Sequence, residues 1–147
     1  QMILNPSQFD IILTENLFGD IISDEASVIG GSIGLLSSAS VGDKYSMFEP
    51  IHGSYPQATG KGIANPIASI LSAAMLLDHF ELYDEAKIIR KAVDKSLKLQ
   101  ITTPDLNKKF DNVTTDKVGD FIEDYINNPE DSNLNFSNIY LGQSTII

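Results

Sequence analysis

The sequence predicts an α/β fold, and three observations carry that prediction. A short β-branched run, Phe9 to Leu13 (FDIIL), passes within a few residues into a stretch of helical spacing. Two further runs, one small and Ser-rich and one reading SMFEP, look like short strands. Downstream of a Gly- and Pro-rich loop, three longer segments repeat apolar residues at three- and four-residue steps. Strands interleaved with helices in this way are the α/β pattern.

Taken in order, Asn5-Pro6-Ser7 precedes the Phe9–Leu13 run, which reads as a buried strand. Thr14-Glu15-Asn16 is a polar exit. From Asp20 to Val28, the residues Ile21, Asp24, Glu25 and Val28 follow helical steps, and Gly30-Gly31 ends the helix. The stretch SIGLLSSASVG predicts a tightly packed strand with turns, and Ser46 to Pro50 a second strand. Residues 51–65 hold Gly53, Pro56, Gly60 and Gly62 and predict a loop. Pro66 suits the first turn of a helix that is apolar nearly all round, the pattern of burial in a large core or a subunit contact. Leu82 to Leu99 is amphipathic, with Leu82, Ala86, Ile89, Val93 and Leu97 on one face and Lys87, Lys91, Asp94 and Lys98 mostly away from it. Thr103-Pro104-Asp105 breaks that helix. Thr114 or Thr115 caps a last one, with Val118, Phe121, Ile122 and Tyr125 inward, and Asn127-Asn128-Pro129 stops it. Residues 1–127 thus form one folded unit, and 128–147 a polar, poorly ordered tail whose Ile139-Tyr140-Leu141 and Ile146-Ile147 could dock elsewhere.

Composition narrows the function. The 147 residues suit one domain, and the 42% that are hydrophobic suffice for a core. A net charge of -10 argues against nucleic acid or an anionic membrane as partner and is compatible with divalent cations. The absence of Cys excludes thiolate catalysis, disulfides and Cys-type zinc sites. No apolar run reaches the ~20 residues of a membrane span. The opening QMILNPSQFD has neither an initiator Met nor the basic-then-apolar order of a signal peptide. We expect a soluble, cytoplasmic chain whose beginning lies upstream.

Two features could carry chemistry. Asp20 and Asp24, at i and i+4, project from nearly the same face of a helix. Their repulsion costs roughly 0.2–0.5 kcal/mol when solvated, and a divalent cation readily offsets it. Mg²⁺ and Mn²⁺ take hard oxygen ligands, and Mg²⁺ commonly uses one or two carboxylates plus water and substrate oxygens. The same spacing also suits a solvated acidic helix start. The apolar neighbours Ile21, Ile22, Ala26 and Val28 weigh against a plain charged surface run. The second feature is the loop from His52 to Asn65, with glycines, a His, a Lys and a helix N-terminus at its end. It suits a nucleotide or phosphate cradle, or a plain connection; it is neither GxGxxG nor a Walker A motif. His52 alone also reads as a structural hydrogen-bonder, as does His79; Glu49 reads as a strand-end carboxylate and Lys61 as a solvated charge.

Together, TENLFGDIISDEAS, GGSIGLLSSAS, FEPIHGS and GKGIANP resemble the β-decarboxylating dehydrogenases, the isocitrate/isopropylmalate dehydrogenase family. The wording is most similar to the branch that acts on 3-isopropylmalate in leucine biosynthesis. The resemblance covers roughly residues 1 to 126 and matches the C-terminal part of family chains. It implies a two-domain, non-Rossmann α/β fold, a homodimer and oxidative decarboxylation with NAD. Asp20 and Asp24 match two metal-binding aspartates for Mg²⁺ or Mn²⁺, with Asp20 also counted as catalytic through the metal. The NAD-binding segment matches His52-Gly53-Ser54-Tyr55-Pro56-Gln57-Ala58 and Gly60-Lys61-Gly62-Ile63-Ala64-Asn65, with Asn65 on the adenine side and Glu49 near the nicotinamide.

This chain departs from the family pattern at two points. Family loops commonly read HGSAPD where this chain has Gln57, which hydrogen-bonds but carries no charge to repel a 2′-phosphate, so selection of NAD over NADP is weaker. The family's substrate-binding arginines, catalytic Tyr and Lys, and third metal-side Asp precede the equivalent of Gln1, and the chain by itself is expected to be inactive. Isocitrate or another 2-hydroxy diacid is the alternative substrate, and a non-catalytic remnant acting through a dimer surface the alternative role.

Overall fold

The computed structural model describes residues 1–106 and 113–128. In chain order these form helix α1 (Asn16–Gly30), strands β1 (Ser37–Val41) and β2 (Ser46–Pro50), and helices α2 (Ile67–His79), α3 (Tyr83–Lys98) and α4 (Thr115–Asn127). Short 3-10 turns occupy Pro6–Gln8, Ile33–Leu35 and Pro56–Ala58. The architecture is a mixture of helix and strand, as expected. The expected tail from Pro129 onward lies outside the described residues.

The first expected strand is not formed. Phe9–Leu13 pairs with nothing among the described residues, and Ile11 and Leu13 are 89% and 92% exposed. An apolar run shows that a segment tends to be buried, but a strand also needs a neighbouring edge to satisfy its backbone. That edge is not among these residues. Helix α1 begins at Asn16, four residues before the periodicity alone indicated, and ends as expected: Gly31 takes the left-handed conformation (φ 92°) and its N–H bonds to Ser27 O at 3.0 Å.

Strands β1 and β2 pair antiparallel, with Ser37 opposite Pro50, Ala39 opposite Phe48 and Val41 opposite Ser46. Helix α2 packs across both strands, α3 against α2, and α4 against α3. Small buried side chains at Ser37 and Ala39 on the sheet, and at Ala68, Ser72 and Ala74 on α2, allow that close approach. Leu35, Ile67, Leu71, Ala92, Val93, Val118 and Ile122 form the core, with Phe121 and Tyr125 packed partly buried against it. The α2 helix is less enclosed than its composition suggested, because Ser69, Ala73 and Leu76 face outward.

Asp94 also departs from expectation. It is buried on α3 rather than turned to solvent, and its charge is met by Lys98 Nζ at 2.7 Å, one turn along. Between helices, Arg90 pairs with Asp78 and ties α3 to α2. Both helices end in the same way. At the end of α2, Leu82 N–H bonds to Leu77 O and Glu81 N–H to Asp78 O, both at 2.9 Å. At the end of α3, Ile101 N–H bonds to Ser96 O at 2.9 Å and Gln100 N–H to Leu97 O at 3.1 Å. These are Schellman caps, with Glu81 (φ 61°) and Gln100 (φ 58°) where glycine is usual. Thr114 caps α4, its side chain accepting from Lys117 N as expected.

Candidate metal and cofactor site

The two features singled out in the sequence occupy different settings. Asp20 and Asp24 lie on the exposed side of α1, whose sole buried residue is Gly19. Ser23 and Ser27 stand beside them, but their hydroxyls donate to backbone carbonyls, Ser23 to Asp20 O at 3.1 Å and Ser27 to Asp24 O at 2.6 Å. This is the back-bonding that helical serines favour, and it leaves both carboxylates open to solvent. No group of three or more His, Cys, Asp or Glu able to hold a metal occurs among the described residues. The donor set is therefore two hard oxygen ligands on one helical face. That fits Mg²⁺ or Mn²⁺ in kind, with further ligands to come from water or substrate.

The loop is held more firmly, and mostly at its end. His52 Nδ1 lies 3.0 Å from Gly53 O, while its Nε2 is buried without a hydrogen-bond partner. Such an orphaned polar atom is uncommon in a folded chain, and here it suits a hydrogen bond to a ligand. Glu49 on β2 is exposed, as are Gly53, Ser54, Tyr55, Pro56 and Gln57; Ala58 alone in this stretch is buried. Gly60 and Lys61 are again exposed, with Gly60 and Gly62 at φ 73° and 62°. Ile63 and Ala64 are exposed and lead into half-buried Asn65.

Asn65 is where the loop becomes rigid. Its Oδ1 accepts from the N–H of Ile67, the first residue of α2, at 3.0 Å, and its Nδ2 donates to Asp105 Oδ2 at 2.9 Å. The same carboxylate accepts from Ser32 Oγ and, at 2.6 Å, from Thr103 Oγ1. Ser32 Oγ in turn accepts from Gly34 N at 3.0 Å. A Cβ on Gly34 would stand 2.7 Å from Asn65 Cβ, so only glycine fits there. On the other side, Thr115 donates from Oγ1 to Ala64 O at 2.6 Å and from N to Gly62 O at 2.8 Å.

The sequence reading missed Ser32, Gly34, Asp105 and Thr115 as parts of this region. By sequence alone Asp105 reads only as part of a helix break and Thr115 only as a capping candidate. Asn65 and Ser32 lie 40 and 73 residues from Asp105, and Ala64 lies 51 from Thr115, separations that no local pattern reveals. No hydrogen bond joins the aspartate pair directly to the loop among the described residues. A hydrogen-bonded link between the two runs through Ser32, just past the end of α1, and Asp105.

Comparison with known proteins decides the family. The model of the family "Isocitrate/isopropylmalate dehydrogenase" matches residues 1–122. The chain belongs to this family. The 3-isopropylmalate dehydrogenase of Bacteroides fragilis is 53% identical over 130 residues, covering 86% of this chain and 36% of that protein. The homoisocitrate dehydrogenase of Methanocaldococcus jannaschii is 50% identical over 125 residues, covering 85% and 35%. The crystal structure of isocitrate dehydrogenase from Methylococcus capsulatus superposes with a TM-score of 0.78 at 40% identity, covering 84% of this chain and 37% of that one. This member of the family thus spans about a third of the length of the curated relatives it matches. Among its described residues no helix is long and apolar enough to cross a membrane.

Proposed function

We propose that this chain is the metal- and cofactor-binding part of a 3-isopropylmalate dehydrogenase: an NAD-linked, Mg²⁺- or Mn²⁺-dependent enzyme of leucine biosynthesis, cytoplasmic and homodimeric, with the two-domain, non-Rossmann fold of its family. The observation that carries this reading is the pairing, within one family member, of two exposed carboxylates one helical turn apart with a glycine-rich loop anchored at Asn65. When bound, the cation supplies Lewis-acid stabilisation of negative charge on substrate oxygens, and NAD⁺ accepts the hydride.

The chain's own residues have simpler tasks. Asp20 and Asp24 present the two carboxylates, and Asp20 counts as catalytic through the metal it holds. Glu49, His52 and the exposed residues from Gly53 to Gln57 line the cofactor loop, and the buried His52 Nε2 has no hydrogen-bond partner among the described residues. Gly60 and Gly62 let the chain turn back in left-handed conformations, and Asn65 fixes where the loop ends. The exposed apolar residues of α1, Leu17 (66%), Ile21 (56%) and Val28 (69%), are compatible with cover by a second subunit.

Substrate choice is the finer point. The homoisocitrate relative at 50% identity supports a second reading, in which a different 2-hydroxy diacid is the substrate. Separate titrations of the chain with Mn²⁺ and with NAD⁺ test the shared part of both readings. Binding of each, weakened but still measurable in Asp20→Asn and Asn65→Ala respectively, supports the proposal; absence of both in the wild-type chain refutes it. A turnover assay with 3-isopropylmalate, NAD⁺ and Mg²⁺ is expected to read zero for this chain alone. Measurable turnover would show that the chain carries proton-transfer groups of its own.

A further inference from the structure

We propose that Asp105 is a positioning residue for the cofactor loop, acting through the side-chain amide of Asn65. The inference rests on the reading of residues 52–65 as the cofactor loop. Its geometry stands independently of that reading.

The Asn65 amide has a single sensible orientation. Its oxygen accepts from Ile67 N, and its nitrogen donates to Asp105 Oδ2. Rotating the amide by half a turn would set Nδ2 against a donor and Oδ1 against a carboxylate, losing both bonds. Asp105 therefore defines which face of Asn65 carries the donor. It is itself held by the hydroxyls of Ser32 and Thr103, so its carboxylate is not free to follow a displaced Asn65. Gly34 adds a steric limit, since its hydrogen occupies the space beside Asn65 Cβ.

The consequence reaches beyond local order. Ser32 sits just after α1, the helix that carries Asp20 and Asp24, and Asn65 sits at the entry to α2. One carboxylate thus ties the turn that follows the acidic helix to the end of the cofactor loop. Asp105 is exposed, outside the hydrophobic core, so loss of its carboxylate is expected to leave the core packing intact.

The test is a double-mutant cycle on the 147-residue chain with NAD⁺ as probe, using calorimetry for affinity and the Asn65 side-chain ¹⁵N–¹H₂ signals for local geometry. Asp105→Ala is expected to weaken NAD⁺ binding about tenfold, the scale of losing one hydrogen bond to a charged group. Asp105→Asn, which retains an acceptor, is expected to lose less. In the Asn65→Ala background, Asp105→Ala is expected to have no further effect. An additive loss there would mean that Asp105 touches the cofactor itself, which overturns the positioning role. An unchanged affinity in Asp105→Ala overturns it too. If the wild-type chain binds no NAD⁺, the functional reading falls, and the spectra still judge the clamp. Asn65 side-chain signals that shift and broaden in Asp105→Ala sustain it, and unchanged signals refute it.

Discussion

Helix α1 and the segment from His52 to the first turn of α2 are the two regions we propose to be functional, and they are built in opposite ways. The α1 helix gives no residue to the hydrophobic core, and Leu17, Ile21 and Val28 along it are exposed. Its two aspartates are arranged by helical pitch alone. The loop leads into Ile67, which is fully buried, and is pinned by side chains from two other parts of the chain, Asp105 and Thr115, with Ser32 holding Asp105 in turn. A metal pair needs little more than the right spacing on one helix, because the cation itself offsets the repulsion and selects the geometry. A loop that must hold an extended cofactor has no internal regularity, so its shape depends on distant partners. On the proposed function, the difference means that the same chain completes one half of a site and leaves the other to ligands from elsewhere.

The largest expected effect tests whether the two regions differ in packing. Ile67→Ala should destabilise the chain by about 2–5 kcal/mol, since the site is fully enclosed. Ile21→Ala on α1 should stay within ~0.5 kcal/mol. Chemical denaturation followed by circular dichroism compares them; equal losses would mean that α1 is packed as tightly as α2.

Gly34→Ala comes next. The added methyl meets Asn65 Cβ, and forcing the two apart should cost about 1–3 kcal/mol. NAD⁺ affinity should fall in the same variant while Mn²⁺ affinity holds, which separates the two halves in one experiment. Asp24→Asn should reverse that pattern: Mn²⁺ binding weakens by at least about tenfold, on the scale of ~1.4 kcal/mol or more, and NAD⁺ binding is unchanged. A parallel loss of both ligands in either variant would show that the halves are coupled more closely than one hydrogen-bond network implies.

Thr115→Val removes the donor to Ala64 O while keeping the side-chain shape, for a cost of about 1 kcal/mol. Hydrogen exchange at residues 62–65 should quicken. The smallest effect is a gain. Gln100→Gly relieves a left-handed residue at the Schellman cap of α3, and a rise of about 0.5–1 kcal/mol is expected, read as a higher Tm. No gain would mean that the Gln100 side chain makes contacts that offset its backbone strain.

Much of the architecture is local and could be read from residue order. The helix after Pro66, the amphipathic α3, the Thr114 cap, the Gly31 stop and the Ser46–Pro50 strand follow from periodicity, capping and turn chemistry that act over a few residues. The aspartate pair is of the same kind, since i and i+4 share a helical face wherever the helix lies. The linked motifs that mark the family were equally visible, and the match over residues 1–122 bears them out.

What residue order could not supply depends on groups far apart in the chain. Phe9–Leu13 has the composition of a strand, yet no partner among the described residues, because pairing is a property of two segments and not of one. Asp94 is charged but buried, since packing of α3 placed it there and Lys98 made that tolerable. Asp105 reads as a turn residue until folding brings Ser32 and Asn65 to its carboxylate. Local spacing set the aspartate pair; the loop's anchor exists because the fold carries two distant donors, Ser32 Oγ and Asn65 Nδ2, to one carboxylate.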